Sequence, residues 1–260
     1  MKRLLAALAC IVLAGCAQLV PAPERPPEAD RAAAESAWAR ALERSVDEHG
    51  RVDFAGLERD RADLDRFVSW VYSVGPNNRP ELFPSRAEVV AYHINAYNAL
   101  AMYNVIAAGT PRSLSEYGLI RFFYSRRVAV GGATMSLYQY ENEVIRPLGE
   151  ERVHFALNCM AVSCPRLPRT PFRAATLEAA LAAETVRFVD EGRNVMVDAE
   201  RRKVRLSAIF DFYTGDFLAK SPSLIWYVNS HRSMPVPTGN GVEFIDYDWT
   251  VVAQLLPISR

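Results

Sequence analysis

Residues 85–109 read SRAEVVAYHINAYNALAMYNVIAAG, and this stretch decides the class of fold. Ser85 stands three residues before Glu88, the spacing at which a hydroxyl and a carboxylate cap each other's backbone amides at a helix start. Gly109 follows the last apolar residues and Pro111 comes two further on, a combination that ends helices. Between these signals apolar side chains fall on every side rather than along one stripe. A helix from Ser85 to Ala108, buried nearly all round, is therefore predicted. Asn95 and Asn98 interrupt it, three residues apart and so on one face. Asparagine is a poor helix former and a costly group to bury unless bonded, so both need partners. The backbone of a neighbouring loop and a bound ligand are the two options, and the sequence leaves them open.

Working outward, Val128 to Leu137 alternates apolar residues around Gly131-Gly132, the pattern of a tight hairpin, with a short helix following from about Leu137 to Arg146. Thr176 to Glu191 reads as helix, Val195 to Leu206 as a second hairpin turning over Asp198 to Arg202, and Ser221 to Ser230 as a late helix. Upstream, Trp38, Leu42 and Val46 mark one face of a helix over Ala32 to His49. Arg51 to Leu57 reads as strand or turn, and Leu57 to Val74 as a helix ended by Gly75, Pro76, Asn77 and Asn78. The sum is a helix-rich α+β fold, one domain over residues 31–260 with small antiparallel hairpins.

Half of the 260 residues are hydrophobic, enough for one sizeable core, and 30 basic residues balance 30 acidic ones. A balanced charge gives no reason to expect nucleic acid as a partner. No glycine-rich phosphate loop and no Gly-x-Ser-x-Gly elbow are present, so neither nucleotide binding nor serine hydrolysis has support, and no cofactor is expected.

The N-terminus carries a different message. Lys2 and Arg3 precede an apolar run from Leu4 to Leu13, too short to span a bilayer, which ends in Leu13-Ala14-Gly15-Cys16. Residues 1–15 are read as a lipoprotein signal peptide cut before Cys16, with acyl chains attached to that cysteine. Ala17 stands where an aspartate would resemble an inner-membrane retention signal, so the outer membrane, facing the periplasm, is the expected location. Residues 16–30, rich in proline, read as a stiff solvated tether. With Cys10 removed and Cys16 acylated, Cys159 and Cys164 are left as a pair in an oxidising compartment. They are either a disulfide or free thiols, and the sequence does not decide.

Several stretches resemble one family. They are Ala91-Tyr92-His93-Ile94-Asn95-Ala96-Tyr97-Asn98-Ala99-Leu100, the run from Leu137 through Glu141 to Arg146, Arg152-Val153-His154-Phe155-Ala156-Leu157-Asn158-Cys159, and Ser163-Cys164-Pro165. Val52-Asp53-Phe54 and Phe212-Tyr213-Thr214-Gly215-Asp216-Phe217 add to the pattern. Together they resemble the domain-of-unknown-function family 547 from about residue 50 to about residue 220. The resemblance suggests a distant kinship with papain-like cysteine hydrolases, in which Cys159 would supply the thiol and Glu141 the orienting carboxylate of a triad. The family's Glu-His pair stands here as Glu141-Asn142, and an amide cannot take a proton from a thiol near neutral pH.

Two other histidines are candidates for that base. His154 lies five residues before Cys159, about 140° round a helix and on the opposite face of a strand, so only a turn would bring them together. His93 lies in the buried helix, where the family usually shows tryptophan, and is either a core histidine or a site residue. Three readings follow. The first is a domain without catalysis that binds an envelope peptide, glycan or protein in a groove lined by Asn95, Asn98, Glu141 and Cys159, with His93 beside it. The second is a cysteine-dependent hydrolase or transferase acting on envelope amide or ester bonds through Cys159, His154 or His93, and Glu141. The third, a zinc site on His154, Cys159 and Cys164, lacks a second ligand pair, so no metal is expected. Asp246 and Asp248 read as a solvated edge.

Overall fold

The computed structural model describes residues 17–23 and 30–254. The signal peptide, Cys16 and the middle of the proline-rich stretch lie outside the described residues. Helices form where the apolar spacing requires them. Asp30 caps α1 (Arg31–Ser45), which ends short of the His49 expected. The stretch expected as strand or turn holds only a bridge at Val52, and then Asp53 caps α2 (Phe54–Arg59) by accepting the Gly56 N–H at 2.8 Å. The single helix expected from Leu57 to Val74 is broken at Asp60 and Arg61, whose backbones leave the helical region, and resumes as α3 (Ala62–Ser73). An aspartate favours such a break because its short side chain competes with the helix for backbone amides.

α4 (Arg86–Ala107) carries both halves of the Ser85–Glu88 capping box, and every residue from Val90 to Ile106 is buried. It is the axis of the main core, against which Trp38, Phe67, Trp70 and Tyr140 pack.

Both expected hairpins are present, and each gains a parallel outer strand. In the first sheet β1 (Gln18–Leu19) runs parallel to β2 (Arg126–Val130), which pairs antiparallel with β3 (Ala133–Ser136) in the register Val128 to Met135. Gly131 and Gly132 make the turn at φ of 55° and 80°, a region only glycine enters freely. In the second sheet β4 (Val195–Asp198) pairs antiparallel with β5 (Lys203–Ser207), and β6 (Gly241–Ile245) lies parallel on the far side. The first part of the stretch read as a solvated tether is thus docked. Val20 is fully buried, its N–H donates to the Arg127 carbonyl at 2.7 Å, and the Tyr103 hydroxyl donates to the Pro21 carbonyl at 3.0 Å. Burial of one valine and pairing along a sheet edge outweigh the stiffness of the prolines around them.

The remaining helices are short: α5 (Leu114–Tyr117), α6 (Leu137–Gln139), α7 (Leu177–Asp190), α8 (Ala208–Phe212), α9 (Thr214–Leu218) and α10 (Leu224–His231). α6 widens into a π-turn over Tyr140–Ile145. Around Phe155, Phe188, Phe210, Phe217 and Tyr227 a second, aromatic core forms between α7, α10 and the second sheet. The result is a helix-rich α+β domain with two small three-stranded sheets.

Candidate functional site

The two cores meet at one small cavity of about 30 Å³, and most of the chemistry-bearing side chains line it. Tyr97 comes from α4, Glu141 from the π-turn, His154 from the 3-10 turn Glu151–Phe155, and Tyr213 from the junction of α8 and α9. π-turns recur at functional sites because the extra residue turns a side chain off the regular helix face. Here it turns Glu141 inward. Glu141 is 8% exposed, and the Tyr97 hydroxyl donates to its Oε2 at 2.9 Å while the Tyr213 hydroxyl donates to its Oε1. Burial, and then the negative charge of Glu141, hold both phenols protonated well above their usual range.

Cys159 and Cys164 face each other across a tight loop. Asn98 shapes that loop: its amide donates to the Ala156 carbonyl at 2.9 Å and accepts the Asn158 N–H at 2.7 Å. Asn158 in turn accepts the Met160 N–H at 2.6 Å and donates to the Pro165 carbonyl at 2.7 Å. These bonds hold Met160 at a φ of 71°, a strained value for a side chain of its size, and fold the chain back on itself. Both thiols are free, with their sulfurs 2.8 Å apart. Three donors converge on the Cys164 sulfur: the Cys159 thiol, the Cys159 N–H at 3.1 Å and the Tyr247 hydroxyl at 3.1 Å. Burial alone would push the Cys164 thiol up. The three donors outweigh it and bring Cys164 below its usual range, while donation to Cys164, together with burial, pushes Cys159 well above. The pair is thus asymmetric, with the Cys159 thiol held higher than that of Cys164.

No imidazole joins the thiols. His154 lines the same cavity, but its Nε2 meets Asp216 at 2.8 Å and its buried Nδ1 has no hydrogen-bond partner. Its ring lies flat on Tyr213, centroids 3.7 Å apart. Arg146 grips Asp216 with two bonds of 2.8 Å and, with His154, holds that carboxyl far below the usual range. Asn142, where the family would place its histidine, accepts from the same Arg146 at 2.6 Å.

The other candidates lie apart from the cavity. Asn95 accepts from Trp38 Nε1 at 3.2 Å and from the Phe172 N–H at 3.0 Å, and donates to the Phe172 carbonyl at 2.7 Å. Of the two options the sequence left, backbone bonding is the one both asparagines take. His93 Nδ1 pairs with the Tyr140 hydroxyl at 2.8 Å, and burial lowers its pKa to about 4, so it is a neutral core residue at physiological pH. Among the described residues no three metal-ligating side chains converge.

Sequence reasoning missed Tyr97, Tyr213, Asp216, Arg146 and Tyr247 as site residues, although all but Tyr247 lie in stretches that carry the resemblance. Tyr247 had a signal too: in Ile245-Asp246-Tyr247-Asp248-Trp249 strand-like alternation leaves both aspartates exposed and turns the ring between them toward the cysteines. Tyr247 lines the cavity, and Trp249 and Phe212 pack against its ring as an aromatic shelf. Tyr247 lies 4.3 Å from Trp249 and 5.4 Å from Phe212, which is 47% exposed.

No curated protein and no solved structure matches the chain. Residues 82–189, which run from the start of α4 through the cysteine loop and nearly all of α7 and so hold Tyr97, Glu141, His154, Cys159 and Cys164, match the family described as protein of unknown function, DUF547.

Proposed function

We propose that this chain is a lipid-anchored protein of the bacterial cell envelope that binds a peptide or glycan over the Phe212, Tyr247 and Trp249 shelf, without using its cysteines as catalysts. One observation carries the reading: no histidine nitrogen hydrogen-bonds to either thiol, the unpartnered Nδ1 of His154 included. The Cys159 sulfur is held by Cys164 and Tyr247, Glu141 by two phenols, and the His154 Nε2 by Asp216. A nucleophile needs a base within hydrogen-bond reach, and none stands there. Beside the cysteines, exposed Phe212 and the half-buried rings of Tyr247 and Trp249 form an aromatic patch, which suits the apolar face of a sugar or an uncharged side chain.

The second reading, a cysteine-dependent hydrolase or transferase, is favoured by Cys159, His154 and Glu141 lining one cavity. One experiment separates the two. The chain from residue 17 is titrated calorimetrically with cell-wall glycan strands and stem peptides, and each mixture is then inspected by mass spectrometry. Binding that Trp249→Ala abolishes and Cys159→Ser retains, with ligand returned intact, is expected. Cleaved or transferred product that disappears in Cys159→Ser would overturn the binding reading in favour of the enzyme.

A further inference from the structure

The docked strand fixes where a lipid anchor would leave the domain. In the parallel register Gln18 lies opposite Arg126 and Leu19 opposite Arg127, so the chain reaches β1 from the same end as the turn that leads into β2. Ala17 is the first described residue, and Cys16 is bonded to it, with one Cα–Cα step of about 3.8 Å between them. No length of free chain separates the two.

Around that point the surface is unusual. Leu19 is 58% exposed, Ile120 74%, Tyr124 49% and Tyr138 42%. Ile120 and Tyr124 stand four residues apart on one helical turn and so share a side. Tyr124 stacks on Tyr138 with ring centroids 4.3 Å apart. Gln139, next to Tyr138, accepts from the Arg127 guanidinium, and Arg127 lies opposite Leu19 in the sheet. Of the four exposed side chains Tyr124 and Tyr138 are in contact, Ile120 stands on the helical side of Tyr124, and Leu19 is paired with Arg127, whose guanidinium reaches the residue next to Tyr138. Exposed Arg121 stands beside Ile120 with its guanidinium 4.7 Å from the Tyr117 ring.

We infer that this face, made by Leu19, Ile120, Tyr124 and Tyr138, rests on the lipid bilayer and holds the domain in one orientation upon it. The inference stands on the reading that Cys16 is acylated, and adds to it which side of the protein meets the membrane. Tyrosine suits the headgroup level, where its ring is apolar and its hydroxyl wet, while Leu19 and Ile120 reach the acyl boundary and Arg121 meets phosphate. The other face of the sheet cannot serve, because Arg126, Val128 and Val130 are buried in the main core.

Photo-crosslinking in vesicles tests this. The mature lipoprotein, carrying a benzophenone amino acid at Ile120, Tyr124 or Tyr138, is reconstituted in vesicles of phosphatidylethanolamine and phosphatidylglycerol. The same label at Met234 and Trp226, also exposed but outside the patch, serves as comparison. Adducts to acyl chains are expected several-fold more often at the three patch positions than at the two comparison positions. Acylated protein that crosslinks equally at all five overturns the orientation and leaves the anchor standing. Protein purified from cells whose mass shows no acyl group at Cys16 overturns the anchor, and this inference with it.

Discussion

At the scale of single residues, most of the polar side chains that the fold buries are answered by another group, and His93 shows the consequence. Its ring is 6% exposed, its Nδ1 is paired with Tyr140, and burial lowers its pKa from 6.5 to about 4. Above pH 6.5 the ring is neutral in both the folded and the unfolded chain and adds no pH dependence. Between 6.5 and about 4 the unfolded chain takes up a proton that the folded chain refuses, so stability falls as the pH falls across that window. The loss amounts to about 3 kcal/mol by linkage. His93→Gln keeps a polar partner for the Tyr140 hydroxyl and cannot titrate. Urea unfolding at intervals from pH 7 to pH 4 is therefore expected to show a shallower decline for the variant than for the parent. Parallel curves for the two proteins would mean that His93 is solvated in a way its burial denies. The same rule explains Asn98, whose amide satisfies the Ala156 carbonyl and the Asn158 N–H and so keeps the loop that brings Cys159 onto Cys164.

At the scale of elements, the informative case is β1, where a proline-rich stretch becomes part of a sheet. Val20 decides it: a fully buried side chain at the end of a two-residue strand. Val20→Asp places a carboxylate in that apolar position and is expected to cost about 3 kcal/mol in chemical denaturation. Gln18→Asp, on the exposed side, should leave stability within about 0.5 kcal/mol of the parent. Equal midpoints for parent and Val20→Asp would return the segment to a free tether. Elements with a periodic pattern of their own were legible before the structure: α4 with its caps, α7, and both hairpins with their turns. β1 and β6 were not, because strands of two and five residues carry too little pattern, and their pairing is with chain more than thirty residues away. The site divides in the same way. Glu141 and Cys159 stood out through the family resemblance and His154 by residue type, whereas Tyr213, Asp216 and Tyr247 act only through contacts across 62 to 88 residues of sequence with Glu141, His154 and the cysteines, which local pattern does not encode.

At the scale of the whole molecule, two observations bear on how the protein is held. Among the described residues no helix is long and apolar enough to cross a membrane. The 30 basic and 30 acidic residues of the chain, or 28 and 30 without residues 1–15, leave no net positive charge to draw it onto an anionic leaflet. On the proposed lipid anchor, attachment rests on acyl chains at Cys16, and more than one chain is needed for a durable hold. Cys16→Ala should abolish labelling by an alkyne analogue of palmitate and move the protein from the membrane fraction to the soluble fraction of the envelope. Because β1 begins only at Gln18, its docking is left intact, and the released protein should unfold at the same denaturant concentration as the chain from residue 17. Sucrose-gradient separation of the parent's membranes adds the leaflet: with Ala17 rather than aspartate after the cysteine, outer-membrane fractions are expected. Membrane retention of Cys16→Ala with no label would transfer the attachment from the cysteine to a protein partner already in the membrane.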